Sequence, residues 1–72
     1  MALTEIDAHD LEVGQIIPLF AERYVITQIV YYPDDKVLRV FAQENLPENS
    51  EYFKRRIMLE VDPLTKAHIW SL

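Results

Sequence analysis

Arg23-Tyr24-Val25-Ile26-Thr27-Gln28-Ile29-Val30-Tyr31-Tyr32-Pro33-Asp34-Asp35-Lys36-Val37-Leu38-Arg39-Val40-Phe41-Ala42 reads as two strands joined by a tight turn. β-Branched and aromatic residues fill both arms, the composition that suits a pleated, half-buried surface. Pro33 presets φ for the first corner of a type I turn, and the aspartates after it can bond back to nearby backbone. Four-residue hairpin loops are most often built on such a turn. This loop sets Tyr31 opposite Leu38, Ile29 opposite Val40 and Thr27 opposite Ala42. The core face is then Val25, Thr27, Ile29, Tyr31, Leu38, Val40 and Ala42. The other face carries Tyr24, Ile26, Gln28, Val30, Tyr32, Val37, Arg39 and Phe41, of which six are apolar or aromatic. A solvated face does not have that composition. Either the chain closes over it or a partner does, because contiguous apolar patches on soluble proteins mark interaction sites.

The same turn pattern recurs at Asp62-Pro63-Leu64-Thr65-Lys66-Ala67. Ile57, Leu59 and Val61 alternate up to it, which favours a strand over Arg55–Val61 against the competing helix across 51–61. A four-residue loop here predicts a second hairpin with Ala67–Leu72. It sets Val61 opposite His68, Leu59 opposite Trp70 and Ile57 opposite Leu72. One face becomes wholly apolar apart from His68, and a one-residue slip would scramble that sorting. Trp70 is expected to be buried against Leu59 and Ile29.

Outside the hairpins the signals are weaker. Thr4 is placed to cap a short helical turn with Asp7 in its first turn. Leu3, Ile6 and Leu11 would then form a lid over one end of a sheet. The run Leu11-Glu12-Val13-Gly14-Gln15-Ile16-Ile17 carries the only glycine, where φ can be positive. It resembles the loop-to-strand transition of SH3-like barrels, a resemblance that covers one strand. Gln15–Ala21 reads as an irregular strand in which Pro18 removes a ladder donor, as at an edge or bulge. Glu44–Ser50 is a polar loop, with Ser50 able to cap one turn through Glu51-Tyr52-Phe53. The expectation is an all-β domain of about five antiparallel strands in two hairpins, a small SH3-like barrel or strongly bent sheet.

The chain's 72 residues make one domain. It has no cysteine, so disulfides and thiolate metal sites are excluded and a reducing cytoplasm is the expected location. The N-terminus lacks a basic region followed by an apolar run, so no signal peptide is expected. No stretch approaches the ~20 apolar residues of a membrane-spanning helix. Twelve acids against seven bases give a net charge of −5, which opposes attraction to nucleic acid or anionic lipid. A core this small benefits from a second copy, so a homodimer is expected, on the aromatic face or a neighbouring sheet edge.

No catalytic motif stands out, and no cofactor is implied. His9 lies among Asp7, Asp10 and Glu12, yet a second imidazole at ligand spacing is missing and a solvated acidic segment is the simpler reading. His68 falls beside Val61 with neither nucleophile nor carboxylate in sequence reach. Glu60 and Asp62 share a strand face, the ordinary arrangement of solvated acids. One glycine cannot build a phosphate loop. Tyr52, Phe53, Lys54 and Arg56 form a basic-aromatic cluster of the kind that grips a single-stranded nucleic acid. Arg55 points away from it, and the overall acidity works against it. Trp70-Ser71-Leu72 would suit capture of a C-terminus, but the core needs those side chains.

Three functions follow. The first is a non-catalytic interaction module that self-associates through Tyr24, Ile26, Val30, Tyr32, Arg39 and Phe41. The second is a single-stranded nucleic-acid binder using the 52–56 cluster. The third is a small-ligand pocket or enzyme beneath the N-terminal lid.

Overall fold

A computed structural model describes residues 2–45 and 55–71. The chain is all-β. Its strands are β1 (Ala2–Asp7), β2 (Ile16–Leu19), β3 (Glu22–Tyr32), β4 (Val37–Glu44), β5 (Arg56–Val61) and β6 (Lys66–Ser71), with one 3-10 turn at Ala8–Asp10. They form a single antiparallel sheet in the order β1-β6-β2-β3-β4-β5. The sheet does not close into a barrel, but it is strongly bent. Residues 62–65 alone carry the chain from β5, at one edge, to β6, which lies on the far side of β2, β3 and β4. Four residues span at most ~14 Å, so the two ends of the sheet must curl toward each other. Backbone bonds from Ala8 N to Thr65 O (2.8 Å) and His9 N to Pro63 O (3.2 Å) tie the 3-10 turn to that link.

The first turn is as expected: Lys36 N donates to Pro33 O at 3.3 Å, and Tyr31 faces Leu38 as Ile29 faces Val40. Below that point the expectation fails at one residue. A β-bulge between Ile26 and Gln28 leaves Thr27 unpaired, so that Ile26 and not Thr27 faces Ala42. A bulge inserts one residue and reverses the side-chain phase beyond it. Tyr24 and Ile26 therefore turn inward and are each only 1% exposed, while Val25 turns out. They join Ile17, Val40 and Ala42 in the buried core, with Ile57, Leu59, Val61, Leu19, Leu11, Ile29 and Ile69 packed around them.

The second hairpin is the larger correction. Both strands and the turn exist, with Thr65 N donating to Asp62 O at 2.9 Å and Leu64 N to Asp62 Oδ1 at 2.8 Å. The strands do not pair with each other. β5 pairs with β4, setting Val61 opposite Leu38, Leu59 opposite Val40 and Ile57 opposite Ala42. β6 lies between β1 and β2, so His68 faces Glu5, and Trp70 faces Leu3 on one side and Ile16 on the other. The inward row Ile57, Leu59 and Val61 was legible; its partner was not. Trp70 accordingly lies half-buried on the face opposite Ile17 and Ile69, under the Arg23 guanidinium at 4.8 Å from the ring centroid. It does not pack on Leu59 and Ile29.

The N-terminal lid is also corrected. Thr4 sits in the middle of β1, and the helical turn comes later, after Asp7. The β6 edge offers six residues of ladder to Ala2–Asp7, and those backbone bonds outweigh a one-turn helix that is marginal by itself. Lys66 Nζ bonds Asp7 Oδ1 at the end of this pair. That bond and the ammonium charge hold the Asp7 carboxyl below its ordinary range, and the carboxylate holds Lys66 above its own. Gly14 has φ of +96°, as its position suggested, and its N–H donates to Ile26 O at 2.9 Å. Ser50, Glu51, Tyr52, Phe53, Lys54, Leu46 and Leu72 lie outside the described residues, as does the proposed turn through 51–53.

Phe20 and Ala21 close the two-residue β2–β3 hairpin with φ of +51° and +63°. A primed turn matches the twist of the strands and demands positive φ at both corners, for which Asn-Gly is the usual choice. Here two side chains occupy that region, and Phe20 projects into solvent. Left-handed backbone costs roughly 1–2 kcal/mol per ordinary residue. Phe20→Asn combined with Ala21→Gly should raise stability by about 1–2 kcal/mol, read as a shift in the chemical-denaturation midpoint at unchanged slope. A lower midpoint would show that Phe20 contributes packing and that the turn is not strained.

Candidate functional site

The bent sheet has two sides with different chemistry. The concave side holds the core. The convex side of β3, β4 and β5 is fixed by the register after the bulge: Gln28–Phe41–Met58 form one row, Val30–Arg39–Glu60 the next, and Tyr32–Val37 the last. Because successive side chains alternate, these residues share one face, and five of the eight are apolar or aromatic. Met58 and Tyr32 are exposed, while Val30, Val37 and Phe41 are partly so. Of the six residues assigned to this face from sequence, Val30, Tyr32, Arg39 and Phe41 are on it. Tyr24 and Ile26 are core residues. Met58 was missed because its strand was paired with the wrong neighbour.

Arg39 is the polar centre of the face. Its guanidinium carbon lies 4.7 Å from the Tyr32 ring centroid, and Nε is 3.3 Å from Glu60 Oε1. The Arg39–Glu60 contact is an ion pair that lacks hydrogen-bond geometry, since Nε is itself enclosed without an acceptor. Both side chains are about half exposed, so the pair contributes little to stability. Arg39 thus lies over the Tyr32 ring and beside the Glu60 carboxylate, a cation–π contact and an ion pair on one guanidinium.

The concave side holds a cavity of about 380 Å³, lined by Leu3, Ala8, Leu11, Ile17, Pro18, Leu19, Val40, Leu59 and Val61 and by residues 65–68. It lies beneath the N-terminal segment, as the third reading required, but its walls are hydrocarbon. Its two basic lining residues already face acids: Lys66 bonds Asp7, and His68 Nε2 is 3.6 Å from Glu5.

Asp7, His9 and Asp10 bring three possible ligand atoms within 4.8 Å of one another. His9 Nδ1 is 3.1 Å from Asp10 and Nε2 is 3.6 Å from Asp7, so each imidazole nitrogen already faces a carboxylate. Of the hydroxyls, Thr4 and Ser71 bond each other at 2.8 Å and Thr27 donates to Phe41 O at 3.2 Å. In the basic-aromatic cluster Tyr52, Phe53 and Lys54 lie outside the described residues. Arg56 begins β5, exposed, opposite Gln43. Among the described residues no helix is long and apolar enough to cross a membrane. No protein-family model, curated protein or solved structure matches this chain.

Proposed function

We propose that this chain is a non-catalytic interaction module that self-associates on the convex side of β3, β4 and β5. One observation carries the reading. With the core filled from the concave side, Val30, Tyr32, Val37, Phe41 and Met58 remain as a contiguous apolar surface around Arg39. Aromatic residues, methionine and arginine are the types enriched where proteins meet. The acidic, cysteine-free composition suits a reducing cytoplasm.

The test is the oligomeric state. The chain should sediment as a dimer at micromolar concentration. Phe41→Glu, a charge in the middle of the Gln28–Phe41–Met58 row, should sediment as a folded monomer with the same circular dichroism. A wild-type chain that stays monomeric at high concentration would defeat the reading.

The apolar cavity favours a second reading, a small apolar ligand held between β2, β5 and β6. Saturable uptake of a fluorescent apolar probe, abolished by Leu59→Trp and unaffected by Phe41→Glu, would select it.

A further inference from the structure

We infer that two copies of this chain join edge to edge along β5, antiparallel, with Met58 on the two-fold axis. This rests on the self-association reading above in taking the partner to be a second copy, and it moves the contact from the convex face to the β5 edge beside it. β5 pairs with β4 through an unbroken six-residue register, and its other edge pairs with nothing among the described residues. Natural sheets protect such edges with Pro, bulges, charged side chains or a covering loop. β5 has neither Pro nor bulge, and its two exposed charges, Arg56 and Glu60, are of opposite sign: Arg56-Ile57-Met58-Leu59-Glu60-Val61 is a regular strand with half-buried apolar residues on one face.

Its side chains are complementary to themselves. An antiparallel pair centred on Met58 sets Arg56 opposite the partner's Glu60, and Glu60 opposite the partner's Arg56. Met58 then faces its own copy, and Ile57 faces the partner's Leu59. The strand's two charges are of opposite sign and four residues apart, the spacing this axis requires. Opposite charges directly across an antiparallel pair attract, and like charges repel. The commonest oligomers are self-complementary dimers of this kind. The other sheet edge offers no such match. β1 carries Glu5 and Asp7 and no base, so no register of β1 on itself joins opposite charges. The pairing also makes the convex faces continuous, because Met58 extends the Phe41 row to the edge and meets the same row of the partner.

The chain as it stands, without cysteine, makes the test specific. Arg56→Glu alone puts two acids opposite each other twice per interface, and Glu60→Arg alone does the same with two bases. Each should weaken the dimer by about tenfold or more, from cross-strand pairs of roughly this strength. An equimolar mixture of the two variants should restore a dimer containing one copy of each. Oxidation should cross-link Met58→Cys, since facing residues lie within disulfide reach. Glu60→Cys should stay uncross-linked, its two copies being separated by four residues of strand, roughly 13 Å. A dimer that neither recovers in the mixture nor cross-links at position 58 would overturn the edge geometry and leave association through the convex face standing. Assemblies larger than two copies would overturn it in favour of open-ended β5-to-β1 addition. A monomeric wild-type chain would overturn both readings.

Discussion

Tyr24→Ala should destabilise this protein by about 3–5 kcal/mol, the usual cost of truncating a buried aromatic side chain. Tyr24 is 1% exposed. It faces Ile17 across β2 and Glu44 across β4, and it belongs to the same buried cluster as Ile26, Val40 and Ala42. Small domains have total stabilities near the low end of about 5–15 kcal/mol. The loss therefore takes most of what holds the chain folded. For a domain of this length it corresponds to a fall of more than about 10 °C in Tm. Tyr32→Ala is the matched comparison, since Tyr32 lies on the convex face under Arg39, where loss of an exposed cation–π contact costs less than about 1 kcal/mol. Chemical denaturation of the two variants decides the matter. If Tyr24→Ala unfolds no more easily than Tyr32→Ala, Tyr24 is not in the core and the face assigned from sequence is the correct one.

What the sequence made legible was local. The Pro33 turn, the strand at Ile57–Val61 and the positive φ at Gly14 follow from residue types within a few positions of each other. So does the inward row of Ile29, Leu38 and Val40. What it hid was set by contacts distant in sequence. Thr27 carries no bulge signal of its own: it is a β-branched residue in a run of good strand formers, and alternation through it gives a plausible core face. The β5–β6 turn likewise looks like a hairpin turn, because Asp62 and Thr65 satisfy the link's backbone whether or not the strands beside it pair. Only the curl of the whole sheet, with β1 and β2 flanking β6, shows that they do not. The candidate face shared that fate. Four of its residues were found from the second arm of the first hairpin and the part of β3 beyond the bulge, where the phase was right. Tyr24 and Ile26 were misplaced by one residue of phase, and Met58 by a missing strand neighbour.

Deleting Thr27 tests that phase directly, and the two arrangements of β3 give opposite outcomes. The bulge is the one place where β3 and β4 are out of step, and it lets both halves of β3 present apolar residues to the same core: Tyr24 and Ile26 below it, Ile29 above it. Thr27 is the extra residue there. Removing it leaves Ile26 opposite Ala42, Gln28 opposite Phe41 and Ile29 opposite Val40 in an unbroken ladder, so Tyr24, Ile26 and Ile29 all keep their facing. A β3 that alternated without a bulge would behave otherwise: losing one residue would turn half of the strand over and expose its apolar side chains at roughly 1.5–3 kcal/mol each. Several such losses meet the stability of a small domain. The deletion variant should therefore fold cooperatively, with wild-type circular dichroism and dispersed proton NMR signals at 25 °C. Its loss should be close to that of Thr27→Ala, about 0.5–1.5 kcal/mol, since both remove the bond from Oγ1 to Phe41 O. A deletion variant that is unfolded or molten while Thr27→Ala stays folded would mean that β3 pairs with β4 without a bulge, and that Tyr24 and Ile26 belong to the outer face after all.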